Sequence, residues 1–274
     1  MADWKPLSVR RGVRAQDTLA EGIPARLEPA LEYWAQGVFG YRDRTGTSEQ
    51  LIIMTALAAS SPIRTRGRAV EMMHELLATC QGNPDAYLDA IDYLLSTPRG
   101  GARAGELERA LALGGSAWMV GSDGDALQRR VDATAQASFE SARTPSDTAS
   151  EELRVAWSKA FSREADPSDA WDHAIKAVEA ILIPLVVPKQ DKPQLGHVVG
   201  SLKSQSSRWK FILPGAALGH SVDPLVAMLD SLWPNPDRHA TGTHREPTLK
   251  EAQAAVHLAV SLVQWARSGA LELR

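Results

Sequence analysis

The chain has few of the residues on which several common protein classes depend. Its single cysteine, Cys80, cannot form an internal disulfide, which favours a reducing compartment. Aromatic residues make up only 6% of its 274 residues, and the remaining composition favours helix over strand. The longest apolar run, residues 180–187, is too short to cross a bilayer, and the N-terminus lacks the apolar core of a secretory signal. We therefore expect a soluble, cytoplasmic protein without a membrane partner.

Several catalytic motifs are also absent. The sequence has no glycine-rich loop to hold a phosphate, no Gly-X-Ser-X-Gly turn for a nucleophilic serine and no paired-cysteine site. Nucleotide hydrolysis and acyl transfer are therefore not indicated, and we predict no cofactor. A formal net charge of −3 gives no overall attraction to nucleic acid, so any binding of RNA must depend on local basic groups.

Hydrophobic spacing predicts an N-terminal region of short helices over residues 1–148. Residues 51–59 are apolar nearly all round, which is typical of a buried helix, and Asn83-Pro84 is a helix start. Residues 96–104, with Pro98 and two glycines, are predicted to form a loop. Near residues 115–131, the turn sequence Ser-Asp-Gly-Asp at 122–125 separates two short extended segments, which predicts a small β-hairpin.

A polar segment at residues 144–150 suggests a domain boundary, with a second helical domain over 149–274. Asp166-Pro167 is a helix start, and we expect Pro184 to interrupt the helix that follows. Thr248 and Glu251 have the spacing of a capping box ahead of the last helix. The predicted fold class is therefore all-α, with one small β-hairpin.

A polar connector at residues 237–245 contains the residues best suited to chemistry: Arg238, His239, His244 and Arg245. Histidine transfers protons near neutral pH, and the planar guanidinium of arginine matches a phosphate. A solvated basic turn is the simpler interpretation. A metal site could also be built from Asp237 and the two histidines, but the loop lacks the helical spacing of strong zinc motifs, so we predict no metal. Four further histidines are expected at packing or surface positions: His173, His197, His220 and His257.

Several segments of the second half resemble HEPN domains, and in particular their bacterial abortive-infection relatives. Residues 168–180 (SDAWDHAIKAVEA) resemble the first long helix of that domain. Residues 195–200 (LGHVVG), 229–239 and 251–260 (EAQAAVHLAV) are similar to later parts of the same relatives. The resemblance covers roughly residues 150–270 and implies a C-terminal HEPN-like helical bundle. Residues 21–24 and the predicted hairpin resemble N-terminal regions of such proteins more weakly.

The resemblance also implies which residues act. Catalytic HEPN proteins carry an arginine, then a polar residue and, a few positions later, a histidine; Arg238, His239 and His244 match this pattern. Many abortive-infection relatives have glycine where this chain has Ala240, and in those relatives the histidine directly after the arginine is the main one. An acid at the position of Glu179 is implied to pair with the motif arginine. The residues themselves leave open an exposed carboxylate paired with Lys176 one turn away.

The implied function is a metal-independent endoribonuclease, acting as a toxin or abortive-infection effector in phage–host conflict. Such enzymes commonly build a composite site in a homodimer, so RNA and a second copy of the chain are the expected partners. The alternative is a non-catalytic helical protein that mediates dimerisation or binds a protein partner, because a fold does not determine a function.

Overall fold

The computed structural model of the chain describes Leu7, Arg11 and residues 19–41, 46–64, 67–162, 165–215, 219–237 and 245–274. The chain divides into two compact units, Met1–Arg130 and Val131–Arg274, each with its own apolar core. The described residues are mainly helical with two small antiparallel sheets, which confirms the predicted fold class. The domain boundary suggested between residues 148 and 149 lies inside the second unit, in the first turn of the helix Thr148–Phe161.

The N-terminal unit contains six helices and one hairpin among its described residues. In chain order they are α1 (Glu28–Val38), α2 (Glu49–Ala58), α3 (Ala69–Gln81), α4 (Pro84–Ser96), α5 (Pro98–Gly101), α6 (Ala104–Gly114), β1 (Trp118–Val120) and β2 (Leu127–Arg129). The helix start predicted at Asn83-Pro84 is present, because the Asn83 side chain accepts a hydrogen bond from the Ala86 amide. Part of the segment predicted as a loop forms instead the single helical turn α5, capped by the Thr97 hydroxyl.

The predicted hairpin is confirmed. Strand β1 pairs antiparallel with β2, so that Val120 lies opposite Leu127, and Gly124 in the turn has a φ of +78°. A two-stranded hairpin is marginal by itself. Here it is held to α6 by Glu108, which accepts hydrogen bonds from the Val120 amide and from the Arg130 side chain.

Helix α2 departs from the prediction of a helix buried all round. The buried residues of this helix are Ile52, Thr55 and Ala56. In contrast, Ile53, Met54 and Leu57 are 42%, 44% and 69% exposed. The sequence of α2 is apolar on every face, so its pattern cannot indicate which face packs. The neighbouring helices α3 and α4 cover one side only, and the other side borders a cavity of about 700 Å³.

The C-terminal unit is built around one long helix. Its described elements are α7 (Ala133–Ala142), α8 (Thr148–Phe161), α9 (Pro167–Val186), α10 (Leu195–Ser204), a 3₁₀ turn (Ser206–Arg208), β3 (Trp209–Phe211), α11 (Asp223–Leu232), α12 (Leu249–Arg267) and β4 (Leu271–Leu273). Helix α9 packs most extensively against α8 and α12. The predicted caps are present: Asp166 accepts from the Asp169 amide, and Thr248 and Glu251 form both bonds of a capping box.

Two features of this unit were not expected. Pro184 does not end α9, which continues to Val186. It removes one hydrogen bond of the last turn, because it has no amide to donate, and Val187 still donates to the Ile183 carbonyl. A second sheet pairs β3 with β4, with Phe211 opposite Leu271. Its strands have three residues each and lie far apart in sequence, so no local pattern indicated it. No described helix has both the length and the apolar composition that a membrane crossing requires.

Gly100 provides a test of the packing between α4 and α5. A Cβ atom at this position would lie 2.6 Å from the Leu94 carbonyl carbon and 2.8 Å from the Leu95 Cα, and it would collide with the Leu94 oxygen. We expect Gly100→Ala to lower the free energy of unfolding by about 1–3 kcal/mol, because backbone atoms must move. Urea denaturation measures the change.

The matched control for this substitution is Gly105→Ala in α6. A Cβ atom there would meet no atom within 4 Å. Alanine restricts the unfolded chain and favours helix, so this variant should be more stable by about 0.5–1 kcal/mol. Equal stabilities for the two variants would contradict the tight approach of α5 to α4.

Candidate functional site

The sequence-predicted site residues fall into two groups. Glu179 lies on α9 and is described by the structure. Arg238, His239 and His244 belong to residues 238–244, which lie outside the described residues. The convergence of the four side chains therefore stays a prediction. The flanking residues are described: Trp233–Asp237, which we call the loop stem, and Arg245 on the far side.

The side chain of Glu179 is partly buried and lies against the start of α10. Its Oε1 atom accepts a hydrogen bond of 2.6 Å from the amide of Leu195, the first residue of that helix. The first amides of a helix have no partner within it and attract negative charge, so they favour a carboxylate at this place. Burial nevertheless raises the pKa of the Glu179 carboxyl above its ordinary value, with the Leu195 amide and Lys176 opposing the shift.

A cavity of about 250 Å³ lies beside Glu179. Its lining consists of Asp172, Ile175, Lys176, Glu179, Gln194, Trp233 and Asn235. Asp172, Lys176 and Glu179 share one face of α9, because residues four and seven positions apart on a helix are neighbours. The cavity thus joins this polar face of α9 to the start of α10 and to the loop stem. Carboxylates outnumber the single ammonium group in its lining, so the cavity itself disfavours a phosphate.

The loop stem is fastened to α9 by a buried polar pair. The Asn235 side chain, 1% exposed, donates hydrogen bonds to Asp172 Oδ1 (2.8 Å) and to the Ser168 carbonyl (3.2 Å). Its Oδ1 atom accepts from the Asp237 amide at 3.3 Å. The sequence analysis did not predict a role for either Asn235 or Asp172. The available signal was Asp172 itself, a carboxylate among the buried positions of α9.

Arg245 fixes the far side of the loop. Its guanidinium forms two hydrogen bonds of 2.6 and 2.7 Å with the Glu251 carboxylate, which also closes the capping box of α12. The side chain of Arg245, followed by Thr248, lowers the pKa of Glu251 to about 2. The residues on either side of 238–244 are therefore in contact with helices, Asn235 with α9 and Arg245 with α12.

Two other histidines of this unit, His173 and His257, are held by neighbouring side chains. His173 lies between Glu152, 2.5 Å from its Nδ1 atom, and Asp169, 3.5 Å from its Nε2 atom. His257 contacts the rings of Trp157 and Phe161, and burial lowers its pKa. Within the described part of the chain, no group of three or more His, Cys, Asp or Glu side chains could hold a metal ion. The metal alternative at Asp237, His239 and His244 depends on residues outside that part.

The burial and the hydrogen bond of Glu179 lead to a prediction about the free energy of unfolding. Glu179→Gln keeps an oxygen acceptor for the Leu195 amide and removes the charge that burial disfavours. We expect its free energy of unfolding to stay within about 0.5 kcal/mol of the wild-type value, or to exceed it. Glu179→Ala leaves the amide without its partner and should cost about 1–2 kcal/mol. Chemical denaturation at pH 7 compares the variants.

The pH dependence of the same variants has a definite sign. Because the pKa of Glu179 is raised in the folded state, folded protein binds the proton more tightly than unfolded protein. The wild type should therefore gain stability relative to Glu179→Gln as the pH falls from above the raised pKa to the ordinary value of 4.5. A relative loss over that range would contradict the burial of this carboxylate.

The pairing of Arg245 with Glu251 is tested by carboxyl titration. In the wild type, NMR should place the pKa of Glu251 at about 2. Arg245→Ala should move it upwards while leaving it below 4.5, because the Thr248 donors remain. The stabilisation from this pair is present above pH 4.5 and is lost as the pH falls towards 2. Arg154→Ala, which removes the exposed partner of Glu151, should leave the Glu251 titration unchanged.

The likeness to HEPN domains depends on sequence segments, three of which correspond to parts of α9, α10 and α12 in one compact unit. Residues of α9, the residue ahead of α10 and the loop stem line the cavity. Asp172 on α9 and Glu251 on α12 bind the residues on either side of 238–244. Membership of the HEPN family stays a prediction. Comparison of the chain with protein-family models, with curated proteins and with solved structures found no match.

Proposed function

We propose that the chain is a metal-independent endoribonuclease of the HEPN type, a toxin or abortive-infection effector in phage–host conflict. The observation that supports this function best is the cavity shared by Glu179 and the loop stem. Arg238 follows Asn235 by three positions, and three residues of chain span at most about 11 Å. In the proposed site the motif arginine lies within this reach of the cavity and pairs with Glu179.

In the proposed reaction, Arg238 binds the scissile phosphate and stabilises the charge that develops on it. One of the histidines, His239 or His244, accepts the proton of the ribose 2′-hydroxyl as its oxygen attacks the adjacent phosphorus. The bond to the 5′-oxygen of the next nucleotide breaks, which leaves a cyclic phosphate and, after protonation, a free 5′-hydroxyl. Glu179 positions the Arg238 guanidinium.

The charges in the cavity support this division of roles. Asp172 and Glu179 repel a phosphate, and only Lys176 among the lining residues attracts it. The phosphate therefore needs the positive charges of the loop, while the carboxylates suit the guanidinium. We further propose that the enzyme works as a homodimer through its C-terminal domain, with RNA at a composite site near the two-fold axis.

Substitutions in the loop test the function. Arg238→Ala should lower the rate of single-stranded RNA cleavage on the order of a hundredfold or more, because the fixed positive charge is lost. Arg238→Lys should remain strongly impaired, since a point charge does not reproduce the planar fork. Of His239→Ala and His244→Ala, the variant that lacks the proton carrier should behave like Arg238→Ala, and the other should be affected mildly. The assay follows cyclic-phosphate products in the presence of EDTA.

Arg154→Ala is the matched control, since Arg154 is an exposed arginine paired with Glu151 on α8. It should cleave like the wild type. Loss of wild-type cleavage in EDTA would contradict a metal-independent mechanism. Full activity and full toxicity of all four loop variants would contradict the ribonuclease altogether.

A second candidate function is a helical interaction protein, and a specific observation favours it. Ile53, Met54 and Leu57 form an exposed apolar face on α2, next to the cavity of about 700 Å³ in the N-terminal unit. Contiguous exposed apolar surface often marks a contact with another molecule. The same loop variants separate the candidates, because an interaction protein does not need Arg238.

A further inference from the structure

The buried pair of Asn235 and Asp172 connects the loop stem to the helix that carries Glu179. We propose that Asn235, held by Asp172, is a positioning residue of the ribonuclease site, which holds the loop stem against α9 just ahead of Arg238. This inference rests on the proposed function. It assigns a role to Asn235 and Asp172, for which neither the motif nor the family resemblance implied one.

The hydrogen bonds of Asn235 define its position closely. Its amide nitrogen donates to Asp172 Oδ1 at 2.8 Å and to the Ser168 carbonyl at 3.2 Å. Its amide oxygen accepts from the Asp237 backbone, the last described residue before the motif. A planar amide with partners on both of its ends has little freedom to rotate. The direction of the chain at Asp237 is therefore tied to α9.

Other contacts besides this polar pair hold α11 against α9. The Trp171 indole donates a separate 2.8 Å hydrogen bond to the Leu232 carbonyl at the end of α11, and Leu229 and Leu232 are buried in the core. Burying Asp172 and Asn235, which are 6% and 1% exposed, costs free energy that an apolar pair would not cost. What the polar pair supplies in return is a defined orientation of the stem.

That orientation matters because of where Asp172 lies on α9. Asp172 and Glu179 share one face of the helix, and both line the cavity with Asn235. Fixing Asn235 on Asp172 therefore fixes the start of the loop relative to the Glu179 carboxylate. In catalysis, a misplacement of about 1 Å can lower the rate on the order of a hundredfold. A stem released from α9 should thus weaken the chemical step more than the binding of RNA.

Four variants of the full chain test the role. Asn235→Ala removes all three hydrogen bonds. Asn235→Asp places a second carboxylate against Asp172, and like charges in contact disfavour each other. The double variant Asp172→Asn with Asn235→Asp restores one amide and one carboxylate in exchanged places, but leaves the Ser168 carbonyl without its donor. Ser231→Ala is the matched control, because the Ser231 hydroxyl bonds only to the Ala227 carbonyl within α11.

We expect Asn235→Ala and Asn235→Asp to lower kcat for RNA cleavage on the order of tenfold to a hundredfold, with KM nearly unchanged. The double variant should recover part of the kcat that Asn235→Asp loses, because the repulsion between the two carboxylates is relieved, and Ser231→Ala should match the wild type. Amide hydrogen exchange at Asp237 needs no RNA and should be faster in Asn235→Ala. Thermal unfolding of each variant shows how much of any decrease in kcat is caused by unfolded protein.

The outcomes separate this inference from the proposed function. If the wild type cleaves RNA and Asn235→Ala keeps its kcat, the positioning role is overturned and the function stands. The role is also overturned if kcat falls only with the folded fraction, if the double variant recovers nothing, or if exchange at Asp237 does not change. Absence of wild-type cleavage overturns the function and the role together.

Discussion

The C-terminal unit depends on the close packing of α9 between α8 and α12. Small residues make this approach possible: alanines are buried on α9 at 170, 174 and 177, and on α12 at 252, 255 and 259. Cores of this kind are packed as densely as organic crystals, so a helix in this position has almost no freedom to shift. Any group fixed to α9 is therefore fixed in the whole unit.

The candidate site makes use of this rigidity. The buried side of α9 holds the core together, while a second face carries Asp172, Lys176 and Glu179 to the cavity. The loop stem is joined to that face by Asn235, and Arg245 joins the other end of the loop to α12. Functional groups are often placed on loops that a rigid scaffold presents. Here the scaffold consists of two helices that pack against each other.

The N-terminal unit shows a different use of apolar sequence. Its core is formed mainly by α1 to α4, α6 and the hairpin, and Cys80 lies buried within it, where burial raises the pKa of the thiol. Helix α2, however, leaves Ile53, Met54 and Leu57 exposed. Exposure of these side chains forgoes hydrophobic stabilisation that burial would provide. The N-terminal unit thus exposes an apolar face along one helix, whereas the candidate site of the C-terminal unit is polar around its cavity.

Much of the local structure followed from the sequence by itself, because it depends on neighbours along the chain. The caps at Asn83, Asp166 and Thr248 and the turn at Gly124 are set by side chains within a few residues of the backbone they bind. Glu179 could be singled out in the same way, as a lone charge in an apolar run. Tertiary structure alone decided the rest. The pairing of β3 with β4 and the exposed face of α2 depend on segments that are distant in sequence. A local pattern does not indicate which of these segments pack against each other. Asn235 and Asp172 are 63 positions apart, so their hydrogen bond exists only after α9 and the loop stem have packed together.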